Sequence, residues 1–354
     1  MSRSLQAPGP RTRGGSKRPA PGAVPLHAGA DAASGADPGD DGFEARKAWL
    51  DHGLSARSWS ERLRELHPAR FFLQAWKVLD EESERARPPA AARAYDARPM
   101  IALCVGAVCL TLMEYFGHST TFRELLDTLV VSERGQAGTT LVGASAADGV
   151  WSALRSSRWV GLADFAWWSA WRVLGYFVVP ALVVRFWFKE RLRDHGLETG
   201  GIAGHAWIYA LSYGAVFIGV LFVARFVPHF TQYYPFYGHC SRSWTDFLAW
   251  EVLYAAQFFA LEFFFRGFWM RSMRDALGSH AIIAMVVPYC MIHFGKPMIE
   301  ALAAIFAGVV LGTLALRTRS IWSGCVVHIG VAVTMDVTAL VVSGRGLPSV
   351  LFPS

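Results

Sequence analysis

From about residue 100 to residue 342 the chain is a succession of apolar runs. Each is near the ~20 residues that a helix needs to cross a lipid bilayer. They cover approximately residues 100–116, 163–188, 206–227, 247–270, 279–295, 298–316 and 320–342. In lipid a backbone N–H or C=O finds no water, so runs of this length satisfy their polar groups internally, as helices. The fold class is therefore all-α, a polytopic transmembrane bundle of about seven spans. Only 18% of the 354 residues are charged, against ~25% in soluble domains, and that charge is concentrated in residues 1–98.

The chain divides by composition. Residues 1–42 are rich in Pro, Gly, Ala and Ser and almost devoid of large apolar side chains, so they cannot bury enough surface to offset ordering and read as a disordered tail. Residues 43–98 carry Trp59, Leu63 and Leu66, then Phe72, Trp76 and Leu79, at helical spacing around Pro68. Arg and Glu fill the other faces. These are cytosolic amphipathic helices that lie on the membrane or pack on the protein's own face, and Pro88, Pro89 and the Ala/Arg run form a linker. Residues 99–244 hold the first transmembrane helices and their loops, and 245–354 the remaining spans. Gly308-x-x-x-Gly312, with Ala304 a turn earlier, marks a seam for close helix packing.

Basic residues alternate between loops. Loops 189–205, 271–278 and 317–319 contain Lys189, Arg191, Arg193, Arg271, Arg274, Arg317 and Arg319, whereas loops 228–246 and 296–297 and the tail contain only Arg242, Lys296 and Arg345. The long 117–162 loop departs from the pattern with Arg123, Arg134, Arg155 and Arg158, but long loops inform orientation poorly. This pattern predicts a multi-pass protein of the cell (inner) membrane with its N-terminus cytoplasmic and its C-terminus outside. The +6 balance is thereby read as topology, with membrane lipids as partners and no nucleic acid. The N-terminus lacks the apolar stretch of a signal peptide. Five cysteines without a C-x-x-C pair give neither a disulfide framework nor a zinc finger. No internal repeat suggests an inverted-repeat transporter.

Ionisable groups within apolar spans are expensive, about 2.5–3.5 kcal/mol each on insertion scales, and ask for a reason. Four stand out: Glu262, Arg266, His293 and His328. Glu262 and Arg266 stack at i,i+4 with the acid first, and a self-neutralising structural pair is the alternative to a functional one. Glu262 lies 16 residues before Gly278 and His293 15 after it. At 1.5 Å per residue an antiparallel hairpin levels them, roughly 22–24 Å from the turn. His328, ten residues beyond Thr318, is expected shallower, at about 15 Å. A carboxylate with a histidine can polarise water, and a second histidine can donate to a developing oxyanion. Cys290 and His293 share a helical face, which leaves a Cys/His/Glu/His metal site as an open alternative. Otherwise no cofactor is expected.

At these residues the sequence resembles the CPBP family of intramembrane proteases, which includes type II CAAX prenyl endopeptidases and bacteriocin-processing or self-immunity proteins. The family's Glu-Glu-x-x-x-Arg motif reads Leu261-Glu262-Phe-Phe-Phe-Arg266, followed by Gly267. Its aromatic-x-x-x-His motif appears as Tyr289 to His293, and His-x-x-x-Asn/Asp as His328 to Ala332. The resemblance spans about residues 245–340. Two positions depart from it: Leu261 replaces the glutamate usually assigned to activate water, and Ala332 replaces the last polar residue. Asp336 or Glu300 is a candidate to supply that lost contact.

The resemblance implies an intramembrane glutamic endopeptidase acting on a membrane-anchored peptide or protein substrate. Glu262 with His293 would activate water, His328 would stabilise the oxyanion and Arg266 would hold the carboxylate. The alternative is a catalytically inactive scaffold or immunity-type protein of the same fold that binds peptides. A transporter using the buried charges is a third.

Overall fold

The computed structural model describes residues 38–55, 58–87, 96–137, 149–200, 202–227 and 229–352. The expected tail up to residue 37 and linker residues 88–95 lie outside these. The tail's last residues begin a helix, α1 (Pro38–His52). By contacts the chain divides at Asp41, and residues 42–354 form one unit.

Every regular element among the described residues is helical. After α1 come α2 (Trp59–Glu65) and α3 (Ala75–Ala86), the latter entered through a π-helical turn at Ala69–Gln74. Ser58 caps α2 in a reciprocal capping box with Glu61, which satisfies two otherwise orphaned donors. α4 (Arg98–Phe116) is the first long apolar helix, and α5 (Ser119–Ala137) and α6 (Val150–Ser156) follow in the loop. Then come α7 (Val160–Trp187), α8 (Ile202–Phe226), α9 (Trp244–Leu277), α10 (His280–Met291), α11 (Met298–Thr318) and α12 (Trp322–Val342).

Six of these, α4, α7, α8, α9, α11 and α12, are long and apolar enough to cross a membrane. The fifth expected span is instead the 12-residue α10, about 18 Å long. Pro288 removes a backbone donor from its last turn, and Gly295 and Pro297 prevent resumption. Pro297 lines a cavity together with Val227, His229 and Tyr233 beyond the end of α8. Six of the described helices thus have the length and composition to cross, and α10 is a shorter apolar helix among them.

The α2–α3 region packs against the protein itself. Leu54, Phe71, Ala75, Val78 and Leu79 are buried, Trp76 donates to Thr313 (3.0 Å) and Trp207 to the Leu54 carbonyl (2.8 Å). Arg317 is fully buried and reaches Glu65 at 2.7 Å. Asp80 accepts from the Ser279 backbone at 2.7 Å, in the α9–α10 turn where Gly278 holds φ +56°, a conformation most side chains resist. These segments cap the bundle end that carries Arg271, Arg274 and Arg319.

The core gathers around residues 260–270 of α9, where Phe263, Phe264, Phe265 and Phe268 are all fully buried. Apolar on every face except where Glu262 and Arg266 pair, and buried throughout, this stretch is a central helix. α7, α10 and α12 surround it. Gly308 and Gly312 lie on the face of α11 that meets α10: a Cβ at Gly308 would meet Val286 Cγ2 at 2.9 Å and one at Gly312 would meet Met285 Cε at 3.0 Å.

Candidate active site

Glu262 ends the α-helical part of α9, and Phe263–Trp269 continues as π-helix, a widened geometry often found where helices carry function. Arg266 sits inside the π stretch and still reaches back to Glu262: its Nη1 donates to Oε1 at 3.0 Å, and both side chains are fully buried. The same Oε1 lies 2.6 Å from His328 Nδ1 of α12. That approach is close but lacks the angle of an aligned hydrogen bond, so the nitrogen is without an in-line partner. At this distance Nδ1 bears the proton, because a lone pair would be repelled by the carboxylate. His328 Nε2 then accepts from the Tyr289 hydroxyl at 2.8 Å.

Tyr289 of α10 ties the cluster together. Its ring lies under the Arg266 guanidinium, 4.1 Å from the centroid, a favourable cation–π geometry. Its carbonyl accepts from His293 Nδ1 at 2.8 Å, and the two rings meet edge-on at 5.1 Å. Phe258 stacks on His328 within 4° of parallel. The carboxylate's other oxygen, Oε2, has no protein hydrogen bond and lies against Gly324, where a Cβ would overlap it.

The structure thus joins Glu262, Arg266 and His328 directly and links His293 to them through Tyr289. Among the described residues no hydrogen bond or ion pair joins His293 to Glu262. His328 reaches the level of Glu262 although residue counting places it two turns shallower. In the sequence Tyr289 is legible only as the motif's aromatic. Its i,i+4 relation to His293 put both on one face, whereas its reach across to α12 is tertiary. Gly324 carried no signal of its own.

Asp336 and Glu300 take other partners: Asp336 accepts from Trp250 Nε1 at 2.6 Å, and Glu300 accepts from the Tyr234 hydroxyl at 3.0 Å and pairs with Lys296 at 3.7 Å. Burial, then the Glu300 charge, pushes the Tyr234 phenol well above its ordinary value, so it stays a donor. Leu261 joins the apolar core and Ala332 is buried beside Tyr254 and Trp250. No three His, Cys, Asp or Glu side chains among the described residues are grouped to hold a metal, and Cys290 Sγ turns to the Ala301 carbonyl at 3.5 Å.

Behind the π stretch stands a second polar contact. The buried His195 places Nδ1 2.9 Å from the Gly267 carbonyl and Nε2 2.6 Å from Glu190 Oε2. The hydrogen bond from His195 holds the Glu190 carboxyl below its ordinary value, against the opposing effect of burial.

No curated protein and no solved structure matches the chain. A family model does, that of the Rce1-like type II CAAX prenyl endopeptidases, over residues 242–334. This interval contains α9 through most of α12 and every member of the polar cluster, and residues 242–334 are similar to an Rce1-like type II CAAX prenyl endopeptidase domain, consistent with the CPBP family.

Proposed function

We propose that the protein hydrolyses a peptide bond of a membrane-anchored substrate, with Glu262 and His293 activating the water. One observation carries this reading: a carboxylate buried within the bundle has one oxygen held by Arg266 and His328, while the other, Oε2, receives no protein donor. A fixed acceptor with a spare lone pair suits a general base. His293 complements it, because donating Nδ1–H to the Tyr289 carbonyl leaves Nε2 with its lone pair. The attacking water gives its proton to this pair, which returns it to the leaving amine. His328 and Tyr289 meet the carbonyl oxygen together: as negative charge develops, the Tyr289 O–H turns from His328 Nε2 to that oxygen, with His328 beside it. Arg266 holds the base in register through its hydrogen bond to Oε1. The capped, Arg-rich end faces the cytosol of the inner membrane under the positive-inside rule, and the C-terminus faces outward.

Leu261 favours a second reading. Where the family motif has its first glutamate, this chain presents an apolar side chain to the core, and Glu262 with Arg266 forms a self-neutralising pair. Such a domain would bind membrane peptides without cutting them.

Comparing the termini of membrane-anchored proteins in cells carrying wild type, Glu262→Gln or His293→Ala separates the two. Hydrolysis predicts substrates whose processing stops in both variants while the protein still accumulates; unchanged processing in both removes catalysis. Leu261→Glu adds direction, since new cleavage marks a dormant fold and lost cleavage marks a site already rebuilt around Glu262.

A further inference from the structure

The π stretch of α9 creates a problem that the loop after α7 solves. Residues 263–269 bond one residue further back than an α-helix does, which displaces carbonyls from their usual partners. Gly267, next to Arg266, turns its carbonyl to His195 Nδ1 at 2.9 Å. The fit is close, since a Cβ on Gly267 would lie 2.6 Å from the His195 carbonyl oxygen. On the far side of the ring, Nε2 meets Glu190 Oε2 at 2.6 Å.

Both partners are acceptors. A carbonyl oxygen has no proton to give, and the Glu190 carboxylate also takes Arg98 Nη1 at 3.3 Å, which favours its ionised form. A neutral imidazole donates from one nitrogen only. Only the imidazolium donates to Gly267 and Glu190 together. The other charged groups at this loop are Asp194, whose carbonyl accepts from Arg271 at 2.9 Å, and Asp96 and Asp275, which flank Arg98.

We infer that His195 is a positioning residue which, as an imidazolium clamped by Glu190, holds the Gly267 carbonyl and thereby fixes the π turn that presents Arg266 to Glu262. The inference deepens the hydrolase reading by naming what sets the register of the Glu262–Arg266 pair, but its test needs no turnover. A merely space-filling histidine would be neutral and replaceable by another ring.

The experiment uses the full-length protein in lipid nanodiscs. Nitrogen-15 spectra of labelled histidine, assigned by loss of one signal in His195→Phe, are expected to show His195 doubly protonated at neutral pH, and Glu190→Gln is expected to return it to a neutral tautomer. Hydrogen–deuterium exchange over residues 263–269 is expected to rise about tenfold or more in His195→Phe, the size of losing one charge-assisted hydrogen bond, while α12 is unchanged. A neutral His195 in the wild type overturns the proposal, as does unchanged exchange of the π segment in a folded His195→Phe. Should His195→Phe fail to fold, assignment by His195→Gln and the response to Glu190→Gln still decide it. Catalytic silence of the wild type would leave both readouts intact, so failure of the hydrolase reading and failure of this one are separable.

Discussion

A methyl group on residue 324 would occupy space that the Glu262 carboxylate fills. That single absent side chain lets an acid on α9 lie against the backbone of α12, within reach of His328. Gly324→Ala is accordingly expected to displace the carboxylate and to destabilise the protein by about 1–3 kcal/mol, the usual range for overpacking a filled interior. Thermal unfolding in detergent, with Gly330→Ala as a comparison, measures this. Gly330 faces the Tyr213 ring instead, so, on the proposed hydrolase reading, a loss of substrate processing in G324A larger than in G330A ties the effect to the carboxylate. Equal losses in the two variants would place Gly324 among ordinary packing positions.

At the level of elements, two ties decide whether the site is assembled. One is the α10–α11 seam, where Gly308 and Gly312 allow Val286, Met285 and Tyr289 to close in. The other is the cap. Arg317 at the end of α11 is enclosed by Glu65 (2.7 Å) and the rings of Trp49 and Phe71. Removing one member of a buried ion pair strands the other, typically at 3–5 kcal/mol, whereas replacing both with apolar groups is often neutral. Glu65→Leu is therefore expected to lower the melting temperature, and Glu65→Leu with Arg317→Met to recover most of it. A double variant as unstable as the single one would show that the cap is held by its apolar contacts alone.

For the molecule as a whole, acid should loosen the capped end first. Glu190, with an ordinary value of 4.5, and Asp96, with 3.8, are both held lower in the folded protein, by the hydrogen bond from His195 and by that from Arg98 respectively. A lowered carboxylate contributes stability that is complete above its unfolded value and is lost as pH falls through its folded value. Stability should thus be flat in these two groups near neutrality and decline below about pH 4.5, with exchange in residues 189–200 rising before that of α12. Glu190→Gln is expected to flatten part of the decline; an unaltered acid limb would remove Glu190 from its causes.

The apolar runs, read without coordinates, determined an all-α polytopic bundle, because only helices satisfy the backbone in lipid and their lengths match its thickness. They placed Glu262 and Arg266 on one face through i,i+4 spacing, and Tyr289 and His293 likewise, since those relations lie within one helix. Family-like motifs pointed to residues 245–340, the same region that matches the Rce1-like model at 242–334. Beyond that, tertiary structure decided. The meeting of Glu262 with His328 and the hydrogen bonds from Tyr289 and His195 all join residues from different helices and loops. Such contacts depend on how helices tilt, wind and face one another, which one-dimensional spacing does not contain.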